Sequence, residues 1–106
     1  MENQQLIAAL YKCALACNYC ATSCLEEKEV KTLKTCVRLD IDCAQICTLT
    51  AALLARGSEH GQHLLEECAE ICGLCATECE KHAGMMEHCK ECAAACRKFE
   101  QVRMAA

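Results

Sequence analysis

A four-cysteine motif occurs twice in this chain and limits the fold more than any other feature. The spacing C-x3-C-x2-C-x3-C appears near the N-terminus and again 55 residues later. Its members are Cys13, Cys17, Cys20, Cys24, Cys68, Cys72, Cys75 and Cys79. Residues separated by steps of four, three and four lie on one face of an α-helix. Because a packed helix buries such a face, the motif predicts helices whose inner stripe consists of thiols instead of leucines.

The duplication continues beyond this motif and predicts the architecture. Cys36 and Cys43 recur as Cys89 and Cys96 at a nearly constant offset, which indicates a repeated helical hairpin. Four helices are expected, at about residues 4–27, 30–56, 59–82 and 85–104. Short connections make neighbouring helices antiparallel, so the predicted fold is all-α, an up-down-up-down four-helix bundle with residues 1–106 as one domain.

Turn-forming residues mark the expected helix ends. Gly57 is predicted to follow the second helix in the C′ position, and Gly84 to do the same for the third. Ser58 is predicted to cap the start of the third helix, because serine favours the N-cap position.

Antiparallel packing sorts the inner side chains into layers. We expect Cys24, Cys36, Cys79 and Cys89 to meet near one end of the bundle. A deeper layer is expected from Cys13, Cys47, Cys68 and Cys96. Beyond that layer the stripes finish in an apolar plug, formed by Leu6, Leu10, Leu54, Leu65 and Phe99.

The opposite end of the bundle is predicted to be the entrance for a metal. There the stripes finish in His82 and Met85, with His88 at the edge. Imidazole and thioether groups bind soft metals, so these side chains could pass an ion inward to the thiols.

The spacing of the thiols indicates a soft metal. Six cysteine pairs are four residues apart, which places their Cβ atoms about 5–6 Å from each other on a helix. That separation suits two sulfurs leaning on one ion, whereas a disulfide needs Cβ atoms at about 3.8 Å. Thiolates select Cu(I), zinc and iron–sulfur clusters. Charge favours multiple Cu(I) ions, because each neutralises one buried thiolate, while zinc with four thiolates keeps a charge of about −2.

Two alternatives stay open from the residues alone. One is a zinc or iron–sulfur protein, and the other is a thiol-redox or disulfide-stapled helical protein. The C-x2-C pairs resemble redox motifs, but no strand pattern surrounds them. Many cysteines in a reducing compartment favour metal binding over disulfides.

Composition excludes several functions. The net charge is −4 and no basic run indicates nucleic acid. No apolar stretch reaches the length of a membrane span. The first residues carry an acid and no Lys or Arg, unlike a secretory signal, so we expect a cytoplasmic protein.

The chain resembles the cytosolic copper storage protein family, whose members are cysteine-rich four-helix bundles. The resemblance is carried by the segments 36–47, 68–82 and 88–96. It implies storage of many Cu(I) ions without catalysis, histidines near the open mouth, assembly into a homo-oligomer (dimer or tetramer), and exchange of copper with a chaperone or small thiol ligand. The expected metal ligands are Cys13, Cys17, Cys20, Cys24, Cys36, Cys43, Cys47, Cys68, Cys72, Cys75, Cys79, Cys89, Cys92 and Cys96, with His82, Met85 and His88.

Two features have competing interpretations. Asp40 lies between Cys36 and Cys43, and we expect it at an edge beside a lysine or arginine, since buried Asp is rare; the alternative is a role in the core. Apolar residues off the thiol face either pack between helices or form an oligomer interface. They are Ile7, Tyr11, Leu15, Leu25, Ile41, Leu49 and Leu53.

Overall fold

Four long α-helices make up most of the chain, which contains no proline to interrupt them. The computed structural model describes all residues 1–106. The helices are α1 (Gln4–Leu25), α2 (Lys34–Ala55), α3 (Gly61–Glu80) and α4 (Glu87–Ala105). A short 3₁₀ helix (Val30–Leu33) precedes α2.

The helices pack as a square bundle. Helix α1 contacts α2 and α4, and α3 contacts the same two helices, whereas the diagonal pairs have no Cα atoms within 8 Å of each other. The molecule is correspondingly elongated, with extents of 43 × 20 × 18 Å. This arrangement confirms the predicted four-helix fold, and it turns one face of every helix toward a shared axis.

The start of the second helix and the end of the third differ from the sequence prediction. The second long helix begins at Lys34 because the preceding residues form the 3₁₀ helix Val30–Leu33. The third ends at Glu80, before the turn that contains Gly84, and the φ angle of Gly84 is not positive. The C′ role predicted for Gly84 is therefore wrong. Two N–H groups of the following turn, those of Met85 and Met86, bond instead to the carbonyl of His82 at 3.1 and 3.0 Å.

Gly57 and Ser58 shape the connection between α2 and α3. Gly57 has φ 68°, and the N–H groups of Gly57 and Ser58 bond to the carbonyls of Leu54 and Leu53. This is the Schellman arrangement, so the C′ prediction for Gly57 is confirmed. Ser58 Oγ accepts from the His60 N–H, but α3 starts only at Gly61, so Ser58 closes a turn rather than capping the helix.

The interior has an apolar end and a thiol-lined length. Leu6, Leu10, Leu54, Leu65 and Phe99 are all buried and form the predicted plug. The rest of the axis is occupied by cysteines. None of the helices is both long enough and apolar enough to cross a bilayer.

The apolar side chains off the thiol face differ in their exposure to solvent. Ile7 is buried, so packing between helices accounts for it. Leu53 is half-buried. The others are exposed, namely Tyr11, Leu15, Leu25, Ile41 and Leu49.

Candidate metal centre

Every cysteine in the chain points into the bundle. All fourteen have free thiols and none has any solvent exposure. Four come from α1, three from α2, four from α3 and three from α4. The stripe predicted from the repeated motif is thus the stripe that the fold buries.

The sulfurs form a nearly continuous chain along the axis. At the deep end, Cys47 Sγ lies 3.5 Å from Cys68 Sγ, and in the middle of the core Cys43 Sγ lies 3.2 Å from Cys72 Sγ. Toward the open end the separations are 3.6 Å for Cys17 and Cys92, 3.4 Å for Cys36 and Cys79, and 3.9 Å for Cys24 and Cys89. The predicted end layer and deep layer are therefore both present.

These separations suit shared metal ions. With a metal–sulfur bond of about 2.3 Å, three sulfurs in a plane around one ion are about 4.0 Å apart. Five groups of four ligand atoms lie within 4.8 Å of one another. They are Cys13/Cys43/Cys47/Cys72, Cys13/Cys17/Cys43/Cys96, Cys17/Cys75/Cys92/Cys96, Cys20/Cys24/Cys36/Cys89 and Cys20/Asp40/Cys79/Cys92. Six cysteines belong to two groups each, so neighbouring groups share their sulfurs.

Asp40 lies in the middle of the thiol core, and the expectation of an edge position was wrong. Its exposure is 0%, and no lysine or arginine pairs with it. Instead the thiols of Cys75, Cys92 and Cys79 donate to Oδ1 at 3.1, 3.3 and 3.6 Å. Oδ2 faces Cys36 at 3.8 Å. A carboxyl group in this position can act as an oxygen ligand beside three thiols.

Burial determines the charge of this carboxyl group. Desolvation is the largest of the effects that raise the pKa of Asp40 to about 11. Asp40 is consequently neutral at pH 7 in the metal-free protein, which leaves Oδ1 free to accept hydrogen bonds. The core therefore avoids one buried negative charge.

His88 approaches the thiols at the open end more closely than the sequence indicated. Its Nδ1 atom lies 3.6 Å from Cys20 Sγ, 3.8 Å from Cys24 Sγ and 3.6 Å from Cys89 Sγ. These sulfurs belong to one of the five ligand groups, so His88 extends that group with a nitrogen atom. Burial alone would lower the pKa of His88, but its bonds to Cys20 and Glu27 outweigh burial and raise it.

Thiols at the open end differ in acidity. The pKa of Cys20 is lowered to about 6, chiefly through its interactions with Cys36 and Cys79 and further through His88. Burial raises the pKa of Cys24, and the nearby charge of Cys20 raises it further.

The other two residues predicted at the entrance do not reach the thiols. Met85 is 90% exposed. His82 is half-buried, and its Nε2 atom pairs with Glu78 at 3.2 Å. The structure therefore places His88 against the sulfurs and leaves His82 and Met85 on the rim.

Two buried polar residues lie in the core: Asp40, for which a core position was the alternative expectation, and Thr50, which was not expected there. Asp40 lies four residues after Cys36 and three before Cys43, so it follows the same helical stripe and could have been placed from that spacing. Thr50 lies three residues after Cys47 on the same stripe. Its exposure is 0%, and its Oγ1 atom makes no hydrogen bond of good geometry, although the hydroxyl contributes to lowering the pKa of Cys68.

Comparisons with known proteins agree on one family. The family model described as copper storage protein matches residues 1–105. Streptomyces lividans Ccsp, loaded with 10 copper equivalents, is 44% identical, with a TM-score of 0.91 over 95% of this chain and 80% of its own. The Cu(I)-bound copper storage protein BsCsp3 is 40% identical, with a TM-score of 0.89 over 98% of this chain and 97% of its own. The uncharacterized cysteine-rich protein YhjQ of Bacillus subtilis (strain 168) is 42% identical over 88% of this chain and 84% of its own.

Proposed function

We propose that this chain, which belongs to the copper storage protein family, stores multiple Cu(I) ions on the thiolates that line its core. The observation that carries the proposal is the chain of fourteen buried, free thiols with neighbouring sulfurs 3.2–4.0 Å apart. A storage site needs many equivalent soft ligands in a place that water does not reach, and the bundle interior supplies both. We propose no catalytic role.

Charge and shared sulfurs favour Cu(I) over zinc. Each Cu(I) ion neutralises one thiolate, so a core filled with bridged ions carries little net charge. Zinc requires about four thiolates per ion and leaves a charge of about −2 at each site. Because six cysteines belong to two ligand groups, the five groups cannot all hold separate tetrahedral zinc ions.

The proposed ligands are the fourteen cysteines and His88, with Asp40 as an oxygen ligand. His82 and Met85 are proposed to help ions enter at the rim, a smaller role than direct coordination among the thiols. We propose a cytosolic location, as stated for the Streptomyces lividans relative. Delivery and removal of copper would then depend on a copper chaperone or a small thiol ligand.

Assembly of copies is proposed from the exposed apolar surface. A groove between α1 and α4 is lined by Leu15, Tyr19, Ala94 and Ala95, with Lys12, Glu91 and Lys98 also among its lining residues. Exposed apolar patches of this kind mark contacts between chains, and a dimer or tetramer would cover it. Leu15→Glu should lower the mass measured by light scattering, and an unchanged mass would place the interface elsewhere.

An anaerobic titration of the reduced protein tests the storage proposal. We expect about one Cu(I) per cysteine, with little visible absorption and unchanged helicity, measured by competition with a coloured chelator. The same protein titrated with zinc should bind far fewer ions. Saturation at about one or two Cu(I) ions would contradict storage, and isolation with all thiols oxidised would favour the disulfide alternative.

A further inference from the structure

Glu27 and His88 form a side-chain hydrogen bond at the open end, where His88 also touches the sulfurs of the core. Glu27 Oε1 lies 3.2 Å from His88 Nε2, and the two residues are 61 positions apart in the chain. The histidine side chain is only 11% exposed, while that of Glu27 is 39% exposed. The contact therefore connects a partly exposed residue at the open end of the bundle with the outermost sulfurs of the core.

The chemistry of the two partners fixes which ring nitrogen carries the proton. An ionised carboxylate only accepts hydrogen bonds, so Nε2 must donate to Glu27. A neutral imidazole has a single N–H, and its other nitrogen is left with a free lone pair. In His88 that other nitrogen is Nδ1, which faces Cys20, Cys24 and Cys89.

We propose that Glu27 is a positioning residue that holds His88 as the Nε2–H tautomer and aims its Nδ1 lone pair at the sulfurs. This rests on the copper-binding function proposed above for His88. When Cu(I) binds Nδ1, any proton on that atom leaves to solvent, and the Nε2 proton stays in the bond to Glu27. Carboxylates on the distal nitrogen of a metal-binding histidine fix the ring in this way.

Backbone structure ties Glu27 to the same site. Its N–H bonds to the carbonyl of Cys24 at 3.2 Å, just after the end of α1. The segment that supplies Cys24 to the ligand group thus also supplies the carboxylate that orients His88. A change in this turn would move both together.

The rim contains a second carboxylate–histidine pair that serves as a comparison. His82 Nε2 pairs with Glu78 at the same 3.2 Å, but the structure gives His82 no contact with a sulfur. Glu78→Ala breaks an equivalent pair away from the core. Glu26→Ala removes the same charge next to Glu27 in sequence, at an exposed position.

Nitrogen NMR of the metal-free protein tests the positioning directly. The ring nitrogens of the four histidines are recorded above the pH at which they titrate, and His88→Ala identifies its signals. We expect His88 to be the Nε2–H tautomer in the native protein and to lose that preference in Glu27→Ala. Glu27→Gln should largely keep it, because an amide oxygen also accepts. A tautomer unchanged in Glu27→Ala overturns the proposal, whatever copper does.

Copper binding tests the consequence separately. By competition titration, Glu27→Ala should weaken the first Cu(I) bound by roughly tenfold, as loss of an orienting partner commonly does. The Glu26→Ala and Glu78→Ala controls should leave it unchanged. In a His88→Ala background, Glu27→Ala should have no further effect, and an additive loss would contradict action through His88. An unchanged affinity in His88→Ala alone would overturn the copper role of His88 instead.

Discussion

The Sγ atoms of Cys43 and Cys72 lie 3.2 Å apart, across the interface between α2 and α3. Cys43 also lies 3.8 Å from Cys13 and 3.9 Å from Cys47, so one sulfur reaches three others. It belongs to two of the five ligand groups, whereas Cys24 belongs to one. The buried cysteines of the core therefore differ in how many ligand groups they belong to, and so in how many ions they can bind.

Removal of Cys43 should accordingly reduce copper capacity more than removal of Cys24. Cys43→Ala breaks two groups that share sulfurs, while Cys24→Ala breaks one group at the end of the chain of sulfurs. We expect the titration of Cys43→Ala to saturate at least one ion earlier than that of Cys24→Ala, each measured against the native protein. Both variants lose one buried sulfur and so control for each other. Equal losses would mean that the ions are bound independently of the shared sulfurs.

Asp40 makes the stability of the metal-free protein depend on pH. Its pKa is raised to about 11 by burial, above the ordinary value of 3.8 for the unfolded chain. Between these values the native state holds a proton that the unfolded state releases, so stability decreases as pH rises. The slope is at most about 1.4 kcal/mol per pH unit.

Denaturation of the reduced, metal-free protein by urea at several pH values between 5 and 8 measures this effect. Asp40→Asn keeps the shape and the accepting oxygen but cannot ionise, so we expect the stability to change less steeply with pH. Asp42→Asn, at an exposed position two residues away, is the control and should keep the native slope. If the stability of Asp40→Asn changes with pH as steeply as that of the native protein, the carboxyl group does not release a proton on unfolding.

Helical periodicity predicted the fold well because it is a local property. Steps of three and four residues place a side chain on one face of a helix regardless of what lies opposite, so the inward direction of all fourteen cysteines followed from spacing. The layers followed as well, since the antiparallel packing of equal repeats leaves little freedom of register. The apolar plug of Leu10 and Phe99 was predicted on the same basis.

Contacts across the bundle could not be predicted in the same way. His88 lies four residues before Cys92, close to the thiol stripe of α4, but its approach to Cys20 and Cys24 of α1 depends on where α4 starts, at Glu87. Met85 was placed at the entrance from its sequence position, but the turn before α4 projects it into solvent. Such details depend on the geometry of a connection, which no periodic pattern contains.

Gly61 and Gly84 should respond in opposite ways to substitution by alanine. A Cβ atom on Gly61 would lie 2.8 Å from Leu54 Cδ2, so Gly61→Ala requires the buried Leu54 side chain to shift. Overpacking of this kind typically costs about 1–3 kcal/mol. Gly84 has open space around it and no positive φ, so Gly84→Ala should stabilise the protein by about 0.4–1 kcal/mol. Urea denaturation of both variants measures the difference, and equal effects would show that α2 and α3 do not need the close approach at Gly61.

Thr50 should destabilise the metal-free protein through its hydroxyl group. The residue is fully buried at the deep end of the thiol stripe, and its Oγ1 atom makes no hydrogen bond of good geometry, although the hydroxyl lies near enough to Cys68 to help lower the pKa of that thiol. An unsatisfied buried polar group costs about 1–3 kcal/mol, so Thr50→Val, which replaces the hydroxyl by a methyl group, should raise the free energy of unfolding by about 1 kcal/mol. Thr48 is the matched control, because its hydroxyl donates to the Ala44 carbonyl at 2.9 Å on the outer side of the same helix. Thr48→Val should not raise the free energy of unfolding measured by urea denaturation. If Thr50→Val instead lowers stability while Thr48→Val does not, the buried hydroxyl has a partner among the thiols, and the deep end of the core contains a hydrogen bond to sulfur.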